Sequence, residues 1–201
     1  MSDTARLPPS WIAEVRARLE DPPPRRLRPS EARQAAVLVP LYVDAGQLWT
    51  VLTQRTETLP HHRGQVAFAG GGSEAGEDPW AAALREAEEE IGLAARTVLR
   101  LGELDELATP SGFRIVPCVG AVPHPLALRP NPDEIEEVFT APLAVLADPN
   151  LVEDREVKIN GRRRTLRIYH YGRWQIWGAT ARILQGLLAR LGIGDPDALG
   201  E

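Results

Sequence analysis

Between Gly70 and Leu93 the chain reads GGGSEAGEDPWAAALREAEEEIGL, three glycines followed by seven carboxylates interleaved with a helix-forming run. Asp78 is placed to cap a helix, Pro79 to occupy its first position and Gly92 to stop it. At helical periodicity Trp80, Leu84, Ala87 and Ile91 fall on one stripe, which predicts a core-facing side. Glu86, Glu89 and Glu90 gather about a third of a turn away, and Glu88 belongs to neither group. Like charges at these spacings cost an isolated helix roughly 0.2–0.5 kcal/mol per pair, and Arg85 is the one residue placed to offset them.

A solvated acidic face is one reading of this cluster. Against it, no Lys is interleaved with the glutamates, and Ala82 and Ala83, one turn before Glu86, carry no bulk to screen it. Glycines also lead straight into the segment, where backbone can approach a ligand closely. Converging carboxylates with open access describe a Mg2+ or Mn2+ site that keeps positions for water and substrate phosphates. A divalent cation would relieve the repulsion.

Composition narrows what such a site serves. With 201 residues and 43% hydrophobic content the chain is long enough for one domain with a buried core. A net charge of -5 speaks against nucleic-acid or membrane binding through a basic surface. One cysteine, Cys118, excludes an internal disulfide and fits a reducing compartment. The first ten residues, MSDTARLPPS, lack the apolar core of a signal peptide, and no apolar run reaches membrane-spanning length. The expected location is the cytoplasm.

Trp11, Ile12, Val15 and Leu19 predict a short amphipathic helix over 9–21, stopped by Pro22 to Pro24. The proline- and arginine-rich stretch that follows predicts a linker, so residues 1–33 read as an N-terminal extension, 34–194 as the main domain and 195–201 as a tail. Residues 35–43 and 48–55 predict a hairpin and 65–71 a third strand. Two aliphatic runs follow the acidic helix, then a segment from Ile135 that begins as strand and ends as helix. Asn160-Gly161 predicts a further hairpin turn, and 176–191 a helix apolar on one side. Helices interrupting strands in this way suggest a mixed sheet with helices packed on it.

Gly71, five residues, Glu77, seven residues and then Arg85-Glu86-Ala87-Glu88-Glu89-Glu90-Ile91-Gly92-Leu93 resembles the Nudix box, with Ala87 smaller than the usual aliphatic residue. The resemblance implies the Nudix fold, an α/β/α sandwich with a mixed β-sheet, and hydrolysis of a nucleoside diphosphate linked to another group. Carried over by position, it implies Glu86, Glu89 and Glu90 as metal ligands for Mg2+ or Mn2+, Arg85 as the group orienting them and Glu77 as the brace of the loop. Glu86 and Glu90, four residues apart, carry most weight.

The preceding stretch, VLTQRTETLPHHRGQVAFAGG (51–71), is similar to the motif of the coenzyme A diphosphatase branch, with Ala69 where Pro is expected. TPSGF (109–113) and IWGATARIL (176–184) also look like this branch. The resemblance implies metal-assisted attack of water on coenzyme A, releasing 3′,5′-ADP and 4′-phosphopantetheine, with Glu89 or a loop carboxylate as base. Substrate contacts would come from Thr53, Arg55, Arg63, Gly70 and Gly71; a substrate with three phosphates wants cations, and His61 or His62 are further candidates. Glu134, Glu136 and Glu137 read as an added carboxylate source or a solvated loop, Arg162, Arg163 and Arg164 as a solvated tip or a phosphate contact, and Trp174 and Trp177 as packing. The alternatives are a Nudix hydrolase of ADP-ribose or oxidised nucleotides, a non-catalytic nucleotide-sensing Nudix domain, and an acidic interaction helix without metal. The N-terminal helix and linker would pack either on their own domain or on a second subunit, as in a homodimer.

Overall fold

A computed structural model describes residues 9–28, 31–57, 63–159 and 161–194. Helix α1 (Pro9–Glu20) buries Val15 and Leu19 in the core that it shares with the main sheet. The strands β1 (Arg33–Asp44) and β2 (Gln47–Arg55) form the expected hairpin about Ala45-Gly46, with Asp44 opposite Gln47. Inner positions of β1 alternate in both directions. Ala36, Leu38 and Tyr42 enter one apolar cluster, whereas Val39 and Leu41 enter the other. A strand buried on both faces is the centre of a layered fold, and this alternation fixes which helix lies on which side.

The segment expected as a third strand divides in two. Strand β3 (Val66–Ala67) pairs with β2 at Thr53 and Gln54, and β4 (Gly70–Gly72) pairs with β1 at Ala35 to Val37. The division arises because β1 and β2 are paired only near their turn, from Leu41–Thr50 to Asp44–Gln47, and diverge beyond it. Phe68 and Ala69, both buried, carry the chain across the gap. Glycine-rich backbone therefore lies between two splayed strands, facing the helix that follows.

That helix is α2 (Pro79–Ile91), packed on the Ala36 and Leu38 side. Strands β5 (Leu99–Glu103), β6 (Leu107–Ala108) and β7 (Phe113–Ala121) come next; β7 runs parallel to β1, while β5 and β6 lie antiparallel to β7. As the sequence suggests, β8 (Ile135–Pro142) is a strand that runs into a helical turn, α3 (Leu143–Leu146), and it pairs antiparallel with β2. A second, three-stranded sheet holds β9 (Val152–Ile159), β10 (Arg162–Tyr171) and β11 (Trp174–Ile176) in the order β11-β10-β9. Helix α4 (Gly178–Leu191) presents Ile183, Leu184, Leu187 and Leu191 to the Val39 and Leu41 side. The result is a mixed sheet between α2 on one face and α1 with α4 on the other. Full burial of each such aliphatic side chain contributes roughly 1.5–3 kcal/mol.

The proline-rich stretch after α1 is fastened to the main sheet rather than free. The Arg25 and Leu27 backbone N–H groups donate to Asp105 and Glu106 at 2.9 and 2.6 Å, and Arg26 pairs with Glu103. Arg190 of α4 reaches Asp105 at 2.8 Å and also donates to the Pro22 carbonyl. The apolar side of α1 is thus covered by its own chain. None of the helices among the described residues is long and apolar enough to cross a membrane.

Candidate active site

Helix α2 begins and ends where its sequence says it should. The Asp78 carboxylate accepts from the Trp80 and Ala81 N–H groups at 3.0 and 3.3 Å, and Gly92 closes the helix in the left-handed conformation. Trp80, Ala87 and Ile91 are buried as the stripe requires, and Leu84 is half-buried. Ala82 and Ala83 depart from expectation. Both are fully buried against the sheet, so they bring the helix backbone close to β1 and do not border an open approach to Glu86.

This close packing drives Glu90 into the gap between the splayed strands. Its side chain is 3% exposed; Oε1 lies 2.9 Å from Arg55 Nη1 on β2, and Oε2 accepts the Gly70 N–H at 3.1 Å. Burial pushes the Glu90 carboxyl up to about 7; Arg55 and the Gly70 N–H pull against that shift, and the neighbouring Glu86 reinforces it. Gly70 is required there, since a Cβ would sit 2.4 Å from the Ala36 carbonyl oxygen and 2.6 Å from Val37 Cα. At Gly71 a Cβ would meet both Glu86 carboxylate oxygens at 2.6 Å. The space of that missing side chain is where the Glu86 carboxylate lies.

A second layer of charge holds this arrangement. Arg85 Nη1 donates to Glu86 Oε1 at 2.8 Å, and Arg85 Nη2 donates to the Gly72 carbonyl at 3.1 Å. Glu77 receives Arg85 in a two-pronged pair, both contacts at 3.1 Å, and also accepts the Glu74 N–H at 2.9 Å. Arg85 holds the Glu77 carboxyl below the usual range, and Glu77 and then Glu86 raise the guanidinium in return. A bidentate pair of this kind fixes both angle and distance. Loop, helix and the Glu86 carboxylate are thereby linked through one guanidinium.

The remaining candidates separate. Glu89 is 60% exposed and stands 3.5 Å from Arg85, and with Glu88 it borders an open depression of about 480 Å³ on the outer side of α2. The helical wheel grouped Glu89 with Glu86 and Glu90; their burial does not. Thr53 is 1% exposed and its hydroxyl donates to the Ala67 carbonyl at 3.0 Å, which braces β3 on β2. Arg63 is exposed, and His61 and His62 lie outside the described residues, as do Asn160 and the tail from 195. Glu136 is exposed, Glu134 is half-buried, and Glu137 pairs with Arg173. Arg163 and Arg164 are exposed, Trp174 stacks on Phe139 at 3.9 Å, and Trp177 is 41% exposed.

Chemically the arrangement offers oxygen donors alone. Among the described residues no three carboxylate, imidazole or thiol groups already stand together as a chelating set; Glu86 is paired with Arg85 and Glu90 with Arg55. The donors still suit a hard divalent cation. Two carboxylates a turn apart face glycine backbone that a side chain would obstruct, and both carry a counter-charge that a cation could replace. The pairing of Arg55 with Glu90 and the role of the Gly70 N–H are invisible in sequence spacing, because 35 and 20 positions separate the partners.

A family model described as NUDIX domain matches residues 32–160. The protein named Uncharacterized Nudix hydrolase NudL from Photorhabdus laumondii is 37% identical over 167 residues, spanning 83% of this chain and 88% of that protein. Its namesake in Salmonella paratyphi B is 37% identical over 162 residues, 80% of this chain and 84% of the relative. Among solved structures, a MutT/nudix family protein from Enterococcus faecalis superposes with a TM-score of 0.56 at 18% identity, covering 84% of this chain and 65% of that one, a likeness of fold alone. The Nudix hydrolase RenU from M. Smegmatis gives a TM-score of 0.50 at 25% identity over 58% of this chain and 74% of its own.

Proposed function

The chain belongs to the Nudix family of hydrolases acting on pyrophosphate bonds, and from that premise we propose that its substrate is coenzyme A, cleaved at the diphosphate to 3′,5′-ADP and 4′-phosphopantetheine. Nudix hydrolases use divalent metal ions, and the ion in this chain is Mg2+ or Mn2+. One observation carries the placement of the chemistry: the Glu86 carboxylate occupies the space left by the absent side chain of Gly71, one turn from a Glu90 anchored by the Gly70 N–H.

Glu86 and Glu90 would hold the cation, with Glu89 completing the set from the helix surface. When bound, the cation supplies charge neutralisation at phosphoryl oxygens and a lowered pKa for water. Arg85 keeps Glu86 turned toward Gly71, and Glu77 keeps Arg85 in that orientation through its two contacts. Gly70 holds Glu90 through its N–H and Gly71 makes room for Glu86, so both would shape the loop that meets the diphosphate. Glu89, exposed and 3.5 Å from Arg85, would take a proton from the attacking water where it does not itself ligate the cation. Arg63 lies on the segment leading to that loop, where a guanidinium can meet a substrate phosphate, and Arg55 serves as counter-charge to Glu90 and as a second phosphate contact once a cation binds. A cytoplasmic setting goes with this substrate, and assembly as a homodimer is compatible with it.

The test is incubation of the full chain with Mg2+ or Mn2+ and, separately, coenzyme A, ADP-ribose and an oxidised purine triphosphate, with products identified by mass. Release of 3′,5′-ADP from coenzyme A, abolished in Glu86→Gln, is the expected result. Cleavage of another substrate alone would overturn the coenzyme A assignment, and absence of any cleavage would favour a nucleotide sensor.

A further inference from the structure

Two stretches that the catalytic proposal leaves unused, TPSGF at 109–113 and the beginning of IWGATARIL at 176–184, meet across a cleft of about 890 Å³ beside β10. Its lining includes Thr109, Arg164, Arg167, Gly178, Arg182 and Gln185. Three guanidiniums in one concavity call for counter-charge, and the structure supplies it to one of them. Arg167 is bound to Asp154 through two contacts at 2.8 and 2.6 Å. Arg182 donates to the Ala108 carbonyl at 3.0 Å, which fixes its position but leaves its charge unmatched. Among the described residues neither Arg164 nor Arg182 has a carboxylate partner.

The two guanidiniums without a carboxylate give the cleft a positive field that a bound anion would match. Although Arg182 is accessible, loss of water within the cleft, followed by the charge of Arg164, lowers its guanidinium pKa. In a chain of net charge -5 these two arginines run against the overall balance. The position of Arg182 is anchored to the main sheet from both sides: Thr180, in the first turn of α4, donates from its hydroxyl to the Val66 carbonyl at 2.9 Å, and Ala108, whose carbonyl Arg182 meets, is paired to Arg114. The cleft volume lies in the range of small-ligand sites, far larger than an ion alone requires. Guanidiniums match the tetrahedral oxygens of a phosphate through paired N–H donors, and Thr109, whose hydroxyl accepts the Phe113 N–H at 3.0 Å, also lines the cleft.

We propose that the cleft lined by Arg164, Arg167 and Arg182 binds the phosphate group of a small ligand. That phosphate comes either from the second, non-scissile phosphate of the enzyme's own substrate or from a separate phosphorylated molecule. The first source rests on the assignment of coenzyme A; the phosphate-binding cleft does not.

Full-length protein carrying ¹⁵N-labelled arginine is titrated with inorganic phosphate, and the side-chain signals of Arg164 and Arg182 are assigned from Arg164→Gln and Arg182→Gln. Both signals are expected to shift saturably, and either substitution is expected to weaken phosphate binding about tenfold while the backbone spectrum stays native, since a charge-assisted hydrogen bond is worth that much. Signals that do not move, or an affinity equal in wild type and both variants, overturn the proposal. In the second arm KM is measured for coenzyme A and for coenzyme A lacking its 3′-phosphate. A rise in KM for the former alone in Arg164→Gln assigns the cleft to the substrate. Unchanged KM with lost phosphate binding assigns it to a separate ligand. If coenzyme A is not cleaved at all, the titration still decides the cleft.

Discussion

Arg55 Nη1 and Glu90 Oε1, on a strand and a helix 35 positions apart, meet at 2.9 Å in the gap between β1 and β2. Glu90 is 2% exposed as a residue, so its charge depends on this one guanidinium and on the Gly70 N–H. Arg55→Met keeps the apolar stem and removes the counter-charge. It is expected to destabilise the metal-free protein by about 2 kcal/mol, below the range for a fully buried pair because Arg55 keeps 22% of its side-chain surface. Glu90→Gln in the Arg55→Met background should cost about 1–2 kcal/mol less than in wild type. Urea denaturation of the four proteins measures both; equal costs would mean the contact contributes nothing.

Neighbouring glycines of the loop should fail differently. At Gly70 a new methyl group meets backbone, which cannot move aside, so Gly70→Ala is expected to lose about 3 kcal/mol of stability. At Gly71 it meets the end of a side chain, which can. Gly71→Ala should therefore stay within about 1 kcal/mol of wild type while expelling Glu86 from its place, with a fall in kcat of about 100-fold. Thermal unfolding and Mg2+-dependent turnover, measured on both variants, separate the two effects.

What sequence can show of this site follows the range of the interactions. Asp78 and Gly92 mark the two ends of α2 because capping is decided within a few residues, and alternation in β1 is visible because pleating is local. The division of 65–71 into β3 and β4 is not visible, since it depends on where β1 and β2 part. A helical wheel treats Glu86, Glu89 and Glu90 alike; packing against the sheet, a tertiary effect, buries one and leaves another in solvent. The arginines after Pro24 read as a linker because their partners, Glu103, Asp105 and Glu106, lie some 80 positions away.

Glu77 touches Arg85, and Arg85 touches Glu86, so Glu77 acts on the site at one remove. Glu77→Gln retains the shape of the side chain but weakens the two-pronged hold. The expected outcome is a 10- to 100-fold loss of kcat, about the scale for supporting residues of a metal site, with KM nearly unchanged. A raised metal requirement should accompany it, read as a higher Mg2+ concentration at half-maximal rate. If Glu77 served only to fold the loop, Glu77→Gln would lower the melting temperature and leave the metal requirement where it was.

Acid should release the N-terminal segment through Glu106. Burial alone would raise this carboxyl, but the Arg114 fork at 2.7 Å, the Leu27 N–H and Arg26 together outweigh it and hold it below its ordinary value. For a carboxylate with a lowered folded-state pKa the stabilisation is present above the unfolded value, about 4.3, and is lost as pH falls through the folded one. Wild type should therefore lose stability below about pH 4. Glu106→Gln should start about 2 kcal/mol less stable at pH 7 and show a shallower decline on acidification, because the group that titrates is gone. Denaturation midpoints at pH 7, 5, 4 and 3.5 test this, with exchange of the Leu27 amide reporting whether the linker detaches; parallel pH profiles for the two proteins would show that Glu106 is not the fastening.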